Sequence, residues 1–271
     1  MNENIIIQKT SVEEIPILFV RQDNAERKEA IFVLHKLLCD KTSELPLAYE
    51  LAKEGYFVII MDIMGHGERN TLKEHKYDFQ NMFYDVRKTV EDIGKVLQYI
   101  RDSGEKKISL NHTGVVGTSF GASIALIAGY MLKEISYVAC LIGTCNLRYI
   151  IENRTLCVFR PFSLSKNVID YDKVIDEMEE LDCLKNYNSD NLKPMLFLDG
   201  KIDMTIPYKE KTEFYRELES IFLKAGRKED ITYQFYSNTG HKLNDDMIHT
   251  LLVWLRHLKR NVSAERKFEK D

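Results

Sequence analysis

Hydrophobic positions along the chain follow two spacings, which alternate from the N-terminal end to the C-terminal end. Short, almost continuously apolar runs are typical of strands buried in a parallel sheet. Longer segments repeat apolar residues every three or four positions, as an amphipathic helix does. The runs predicted as strands are NIIIQKT, EIPILFVRQ, AIFVLH, YFVIIMD, HTGVVG, YVACLIG, PMLFLDG and ITYQFYS. Because helical segments separate most of them, the pattern predicts an α/β fold with a mostly parallel central sheet and helices on both faces.

The first two runs are close enough in sequence to form an antiparallel hairpin, which we expect at one edge of the sheet. The segments predicted as helices are residues 43–54, a long stretch from residue 78, and residues 122–132, 207–223 and 241–258. Gly55 is a typical stop for the first of these helices.

The alternation breaks between residues 144 and 191, where the chain is polar, aromatic and irregular, with one helical piece. We interpret residues 144–191 as a small cap inserted into a core formed by residues 1–143 and 192–260. Residues 261–271 mix both charges with little apolar content and are predicted to form a flexible tail. Aromatic and basic residues of the insertion either line a substrate pocket or seal the cap onto the core: Arg148, Tyr149, Phe159 and Phe162.

Composition narrows the function classes. The chain has 271 residues and a net charge of -4, so it suits one large domain and lacks the basic balance expected of a nucleic-acid-binding protein. No apolar run reaches about 18 residues, so no membrane span is expected. The first ten residues, MNENIIIQKT, do not resemble a signal peptide, and we expect a cytoplasmic location. The five cysteines are odd in number and form no CxxC pair, which favours reduced thiols. The seven histidines form no HExxH motif, and no metal site is predicted.

Ser119 is the strongest candidate for chemistry. It stands in Gly117-Thr118-Ser119-Phe120-Gly121, between a predicted strand and an apolar helix. A serine in this context occupies a sharp turn that only small neighbours allow, and its hydroxyl is presented above the carboxyl edge of the sheet. The alternative is a tight turn packed under the helix, with no chemical role.

A serine nucleophile needs a base and an acid that orients the base. Asp203 follows the strand PMLFLDG and His241 follows ITYQFYS, so both lie beyond the carboxyl ends of predicted strands, in the order Ser, Asp, His. Asp203 could instead be a turn or helix-start residue, and His241 could cap the last helix. Asp199 competes with Asp203, but its place beside Gly200 favours a turn. The remaining candidates for the base, His249 and His257, lie inside the last predicted helix and are interpreted as surface or packing residues.

These residues resemble the α/β-hydrolase fold over nearly the full chain, residues 4–258. The matching motifs, in order, are VLHK, MDIMGHGE, GTSFG, DGKIDMTIP and NTGHKL. Within that superfamily the chain is most similar to bacterial serine esterases related to the prolyl-oligopeptidase-type catalytic domain.

The resemblance implies acyl transfer to water without a cofactor, on a small or medium carboxylic ester. Ser119 would attack the carbonyl, His241 would take and return the proton, and Asp203 would hold the imidazole. The backbone N–H groups of Phe120 and Leu37 would form the oxyanion hole. The chain has His35-Lys36 where the family usually has His-Gly, which leaves the donor at Leu37 open.

Several alternatives stay open at this point. His35 is interpreted as a structural hydrogen-bonding residue. The GHGER loop is either held by Asp62 or in contact with substrate, and Arg69 within it could pair with a substrate carboxylate. The same machinery would serve a peptidase, a thioesterase or an acyltransferase, and a non-catalytic ligand-binding member of the fold is the remaining hypothesis.

Overall fold

The structure, a computed structural model, describes residues 4–24, 26–70, 81–146, 176–177 and 179–268, with side chains up to residue 260. Its strands are β1 Ile5–Val12, β2 Ile15–Gln22, β3 Lys28–Leu34, β4 Tyr56–Met61, β5 Ile108–Thr118, β6 Ile135–Leu141, β7 Met195–Gly200 and β8 Ile231–Tyr236. Its α-helices are α1 Leu45–Lys53, α2 Met82–Ser103, α3 Phe120–Met131, α4 Cys183–Asn186, α5 Tyr208–Lys224 and α6 Asp245–Phe268.

The strands form one sheet in the order β1-β2-β4-β3-β5-β6-β7-β8. β1 pairs antiparallel with β2, β2 pairs antiparallel with β4, and all other neighbours are parallel. This arrangement confirms the predicted α/β class and the antiparallel hairpin at the edge. The strand order reverses at β3, which has β4 on one side and β5 on the other. Ligands of open α/β sheets bind at the carboxyl ends of the strands beside such a reversal.

A hydrophobic core lies on each face of the sheet because successive side chains of a strand point to opposite faces. In β3, Phe32 and Leu34 belong to the core covered by α2, α3 and α5, whereas Ile31 and Val33 belong to the core covered by α1 and α6. Both faces are therefore covered, which explains the continuously apolar strands. None of the helices within the described ranges is both long enough and apolar enough to pass through a membrane.

The last helix starts later than the pattern predicts. It begins at Asp245, because the side chain of Asn244 accepts a hydrogen bond from the Met247 amide (2.9 Å) and so caps the first turn. His241 therefore lies in a loop ahead of the helix. The helix continues to Phe268, beyond the expected end at residue 258.

Two buried cysteines lie inside the predicted insertion, one next to its first residue and one in its last part. Cys145 follows β6, Cys183 begins α4, and the Cys183 thiol donates to the Cys145 sulfur at 2.7 Å. The Tyr187 hydroxyl then donates to the Leu126 carbonyl (2.6 Å), which ties α4 to α3. None of the four cysteines within the described residues is in a disulfide. Cys157 and the predicted pocket residues of the insertion lie outside the described residues: Arg148, Tyr149, Phe159 and Phe162.

Candidate active site

Ser119 occupies the turn between β5 and α3, with a backbone φ of +55°. Positive φ is uncommon for residues other than glycine, so the surrounding contacts must hold the turn in place. The Ser119 amide donates to the Leu141 carbonyl (2.8 Å), and the Ser119 carbonyl accepts from the Ala122 amide (2.9 Å). The turn is thus fixed to β6 on one side and to the first turn of α3 on the other.

The glycines beside Ser119 are required by close backbone approach. A Cβ atom at Gly117 would lie 2.0 Å from the Gly121 carbonyl oxygen, and one at Gly121 would lie 2.3 Å from the Leu34 carbonyl oxygen. Gly143, after β6, is equally restricted, since its Cβ would lie 2.5 Å from the Ser119 carbonyl oxygen. Only a chain without side chains at these positions can pack the serine turn against the ends of β3 and β6.

The structure brings the predicted serine, histidine and aspartate into one hydrogen-bonded series. Ser119 Oγ lies 2.8 Å from His241 Nε2, and His241 Nδ1 lies 2.8 Å from Asp203 Oδ2. Because an ionised carboxylate only accepts, Nδ1 carries the proton and Nε2 accepts from the serine hydroxyl. This tautomer is the one that a general base acting on Ser119 requires. The Asp203 side chain is fully buried and that of His241 is 20% exposed.

The Asp203 carboxylate accepts from four donors. Oδ1 accepts from the amides of Thr205 (2.8 Å) and Ile206 (3.0 Å), and Oδ2 accepts from Lys211 Nζ (2.7 Å) as well as from His241. Burial by itself would raise the pKa of Asp203, but the hydrogen bond from His241 and the charge of Lys211 outweigh it and lower the pKa to about 2. The carboxylate is therefore ionised over the whole neutral range.

Asp199 does not serve as an ordinary turn residue, in contrast to the expectation from Gly200. It is fully buried at the end of β7, where Oδ1 accepts from Lys211 Nζ (2.5 Å) and Oδ2 accepts from the Tyr215 hydroxyl. Burial raises the pKa of Asp199, opposed mainly by the charge of Lys211. The sequence did not single out Lys211 and Tyr215. A signal for Lys211 was available, because it lies at helical spacing with the apolar residues of the buried face of α5: Phe214, Leu218 and Phe222.

The two predicted oxyanion donors lie on neighbouring loops. Phe120 is the first residue of α3, and Leu37 lies in a turn closed by a hydrogen bond from the Cys39 amide to the Lys36 carbonyl (3.2 Å), with Leu38 at a φ of +60°. The close approach of Gly121 to the end of β3 brings this turn beside the start of α3. The role of both N–H groups as donors stays a prediction.

His35 has the structural role expected of it. Its Nδ1–H donates to the Lys36 carbonyl (2.8 Å) and its Nε2 accepts from the Ile63 amide (3.0 Å), so the ring joins the loops that follow β3 and β4. Burial lowers the pKa of His35 to about 4, and the ring is neutral near pH 7.

Asp62 holds the GHGER loop, residues 65–69, in place, which is one of the two interpretations offered by the sequence. Asp62 accepts from the Lys41 amide (2.8 Å), the Lys41 ammonium (2.6 Å) and the Glu68 amide (3.0 Å). Gly67 fits over this carboxylate only because it has no Cβ, which would lie 2.4 Å from the Asp62 side chain. Arg69 pairs with Asp92 (2.5 Å). Its guanidinium is thus engaged within the protein.

A cleft of about 290 Å³ lies between the loops after β3 and β4 and is lined by Leu38, Cys39, Asp40, Lys41, Thr42, Gly65, His66, Gly67, Glu68 and Asn70. Since His66 packs near Phe120, with ring centroids 5.9 Å apart, this cleft adjoins the serine turn. Among the described residues, no three His, Cys, Asp or Glu side chains are grouped so that they could hold a metal ion.

Comparisons with known proteins identify the family and the fold of this chain. Residues 46–263 match the prolyl oligopeptidase family. A Bacillus subtilis (strain 168) protein, YitV, named as a candidate esterase, is 23% identical over 254 residues, which are 92% of this chain and 98% of that protein. The crystal structure of TT1662 from Thermus thermophilus has a TM-score of 0.69 at 18% identity and covers 94% of this chain and 98% of that one. The esterase Pf2001 from Pyrococcus furiosus has a TM-score of 0.65 at 19% identity, with coverages of 94% and 93%. The fold is that of the α/β-hydrolases.

Proposed function

Because the chain belongs to the prolyl oligopeptidase family, we propose that it is a serine hydrolase that cleaves small or medium carboxylic esters through an acyl-enzyme intermediate. The observation that carries the proposal is the continuous series from Ser119 through His241 to Asp203, with 2.8 Å at each step. A serine hydroxyl is a weak nucleophile at neutral pH, and this series supplies the base that activates it.

The reaction follows from the positions of the protons. His241 Nε2 takes the proton of Ser119 Oγ while the oxygen attacks the ester carbonyl. Asp203 stabilises the imidazolium that forms and keeps Nδ1–H directed at its own Oδ2. The imidazolium then gives the proton to the leaving alcohol, and the acyl group stays on Ser119. Water, activated by the same imidazole, releases the acid and restores the serine.

The negative oxygen of the tetrahedral intermediate needs donors that are already in place. We assign the N–H of Phe120 and the N–H of Leu37 to this role. The position of Phe120 at the N-terminal end of α3 supports the assignment, because the helix dipole is positive there.

Two observations favour an ester as the substrate. The relative YitV is named as a candidate esterase and the Pyrococcus furiosus protein Pf2001 as an esterase, and each aligns with nearly the whole of this chain. The name of the family favours a peptidase as the second candidate, since a serine, a histidine and an aspartate in series can also attack the carbonyl of a peptide bond. A thioesterase or an acyltransferase would differ only in the leaving group or the acceptor.

The test is hydrolysis of p-nitrophenyl esters graded from acetate to palmitate. Ser119→Ala is expected to lower kcat by about 10⁴-fold or more without changing thermal unfolding. Ser237→Ala is the matched control, because Ser237 is an exposed serine in the loop that also carries His241. A fluorophosphonate probe is expected to label Ser119 alone. Full turnover by Ser119→Ala, or labelling of another serine, would overturn the proposal.

A further inference from the structure

Lys211 places an ammonium group where an aliphatic side chain would be expected. It lies on the buried face of α5, its side chain is fully buried, and its neighbours on that face are apolar. Burial of an unpaired charge is strongly unfavourable, so such a lysine persists only with close partners of opposite charge. Its partners are Asp199 Oδ1 at 2.5 Å and Asp203 Oδ2 at 2.7 Å.

The ammonium and the imidazole share one carboxylate oxygen. Asp203 Oδ2 accepts from both Lys211 Nζ and His241 Nδ1, whereas Oδ1 is taken up by two backbone amides. Lys211 is therefore the only charged donor on Asp203 apart from the imidazole itself, within the described residues. When His241 takes up a proton, its positive charge lies close to that of the Lys211 ammonium, and the repulsion between them disfavours the imidazolium.

The carboxylate of Asp199 offsets the repulsion between Lys211 and a protonated His241. Its carboxylate lies on the far side of Lys211 and receives the Tyr215 hydroxyl on its second oxygen. With Asp199 and Asp203 ionised and Lys211 protonated, the three groups carry a net charge of -1 next to the imidazole. Without Asp199 the net charge would be zero.

We propose that Lys211 is a positioning residue, and that the pair Asp199–Lys211 fixes Asp203 against His241 and sets how strongly the imidazole holds a proton. This inference rests on the proposed function, since it concerns the same serine, histidine and aspartate. Lys211 holds the carboxylate in place, and Asp199 cancels the repulsion that Lys211 would otherwise exert on the imidazolium.

Other charged groups near His241 remain constant in the test described next. Two ionisable groups lie near the serine turn that His241 contacts. Glu44 accepts a hydrogen bond from Thr118, the residue before Ser119 (3.0 Å), and His66 packs near Phe120, the residue after it. In its own loop and at the start of α6, the charged residues are exposed: Lys242, Asp245 and Asp246.

The test compares the wild-type protein with Asp199→Asn and with the double variant Asp199→Asn/Lys211→Met. The pKa of His241 is measured from the imidazole resonances by NMR, together with the pH profile of p-nitrophenyl acetate hydrolysis. Asp199→Asn leaves Lys211 paired with Asp203 alone, so the pKa of His241 is expected to fall by about one unit or more. The acid limb of the kcat/KM profile moves to lower pH by the same amount. On the plateau above it, kcat falls roughly threefold at an unchanged KM, because a weaker base takes the serine proton less readily. The double variant restores the net charge of -1 and is expected to return the pKa of His241 close to the wild-type value.

The variant Lys209→Met/Glu213→Gln is the matched control, because it removes an exposed ion pair from the same helix. It is expected to leave the pKa of His241 unchanged. The single variant Lys211→Met is not used, since it would leave two buried carboxylates without their cation. If the double variant does not fold, the comparison of Asp199→Asn with the wild-type protein still decides.

If the wild-type protein and all folded variants have the same pKa for His241, the inference is overturned and Lys211 is a purely structural residue. The NMR titration does not depend on turnover. Retained hydrolysis by Ser119→Ala would therefore refute the proposed function, whereas an unshifted imidazole would refute the role of Lys211.

Discussion

Gly121 and Ser119 illustrate how single residues decide the geometry at the end of β5. Ser119 adopts a φ of +55°, and Gly121 packs directly on the carbonyl oxygen at the end of β3. The contact is between backbone atoms, which cannot move aside as a side chain could. The position of the serine therefore depends on a neighbour that has no side chain.

Gly121→Ala is expected to lower the free energy of unfolding by about 2 kcal/mol or more and to abolish most ester hydrolysis, because its Cβ would overlap the Leu34 carbonyl oxygen. Thermal unfolding and p-nitrophenyl acetate turnover measure the two effects. Gly94→Ala, in the middle of α2, is the control: its Cβ would make an ordinary 3.6 Å contact, and stability should rise by about 0.5–1 kcal/mol. Normal activity in Gly121→Ala would show that the turn tolerates a side chain.

The sequence predicted the serine, aspartate and histidine because each follows a strand whose apolar pattern is clear. It did not predict the partners behind Asp203. Asp199 precedes a glycine, which locally favours a turn. The spacing of Lys211 places it on the apolar face of its helix, but it does not reveal which groups the ammonium meets there. Their roles arise from a contact between β7 and α5 that no local pattern reveals.

At the scale of elements, ion pairs tie the loop after β4 to α2. Arg69 donates to Asp92 (2.5 Å) and to the Asp62 carbonyl (3.1 Å), and Lys88 also contacts Asp92 (2.6 Å). Asp92 is buried and Arg69 nearly so. The loop that borders the cleft is thereby joined to a long helix on the face of the sheet.

Arg69→Met is expected to lower the free energy of unfolding by roughly 2 kcal/mol, since Lys88 would be the one ion-pair partner left to Asp92 among the described residues. Adding Asp92→Asn should recover part of that loss, because the buried charge disappears with its partner. Urea unfolding measures both variants. A KM for p-nitrophenyl esters that stays unchanged would agree with a structural Arg69. A KM that rises only for esters bearing a carboxylate, at unaltered stability, would instead place Arg69 on the substrate.

The bounds of elements were predicted less well than their order. The hydrophobic period of α6 extends back towards His241, but the Asn244 side chain caps the helix and fixes its start at Asp245. A single side-chain hydrogen bond decides where the helix starts, whereas the hydrophobic period is a property of the whole segment and does not locate its first residue. The succession of strands and helices along the chain and the edge hairpin, by contrast, follow from apolar runs and short connections.

At the scale of the whole molecule, buried ionisable groups link folding to pH. His35 has a pKa of about 4 in the folded protein and about 6.5 in an unfolded chain, so the unfolded state binds more protons between these values. Stability is then lost as the pH falls from about 6.5 to about 4. Asp203, with a folded pKa of about 2, gives a second loss as the pH falls from about 4 to 2.

His35→Gln is expected to reduce the first of these losses by up to roughly 3 kcal/mol, because glutamine cannot take up a proton. Urea unfolding at pH 7, 5.5 and 4.5 gives the slope of the free energy of unfolding with pH. His249→Gln is the control, since His249 is exposed on α6, and its slope should equal that of the wild-type protein. Equal slopes in all three proteins would mean that His35 is not held neutral by the fold.

Cys145 and Cys183 meet inside the core, and Tyr187 fastens the chain to α3 directly afterwards. Residues 146–182 therefore begin and end next to each other, at the contact between Cys145 and Cys183. Because the entropy of loop closure rises only slowly with length, that stretch can be lengthened, shortened or exchanged at little energetic cost to the sheet.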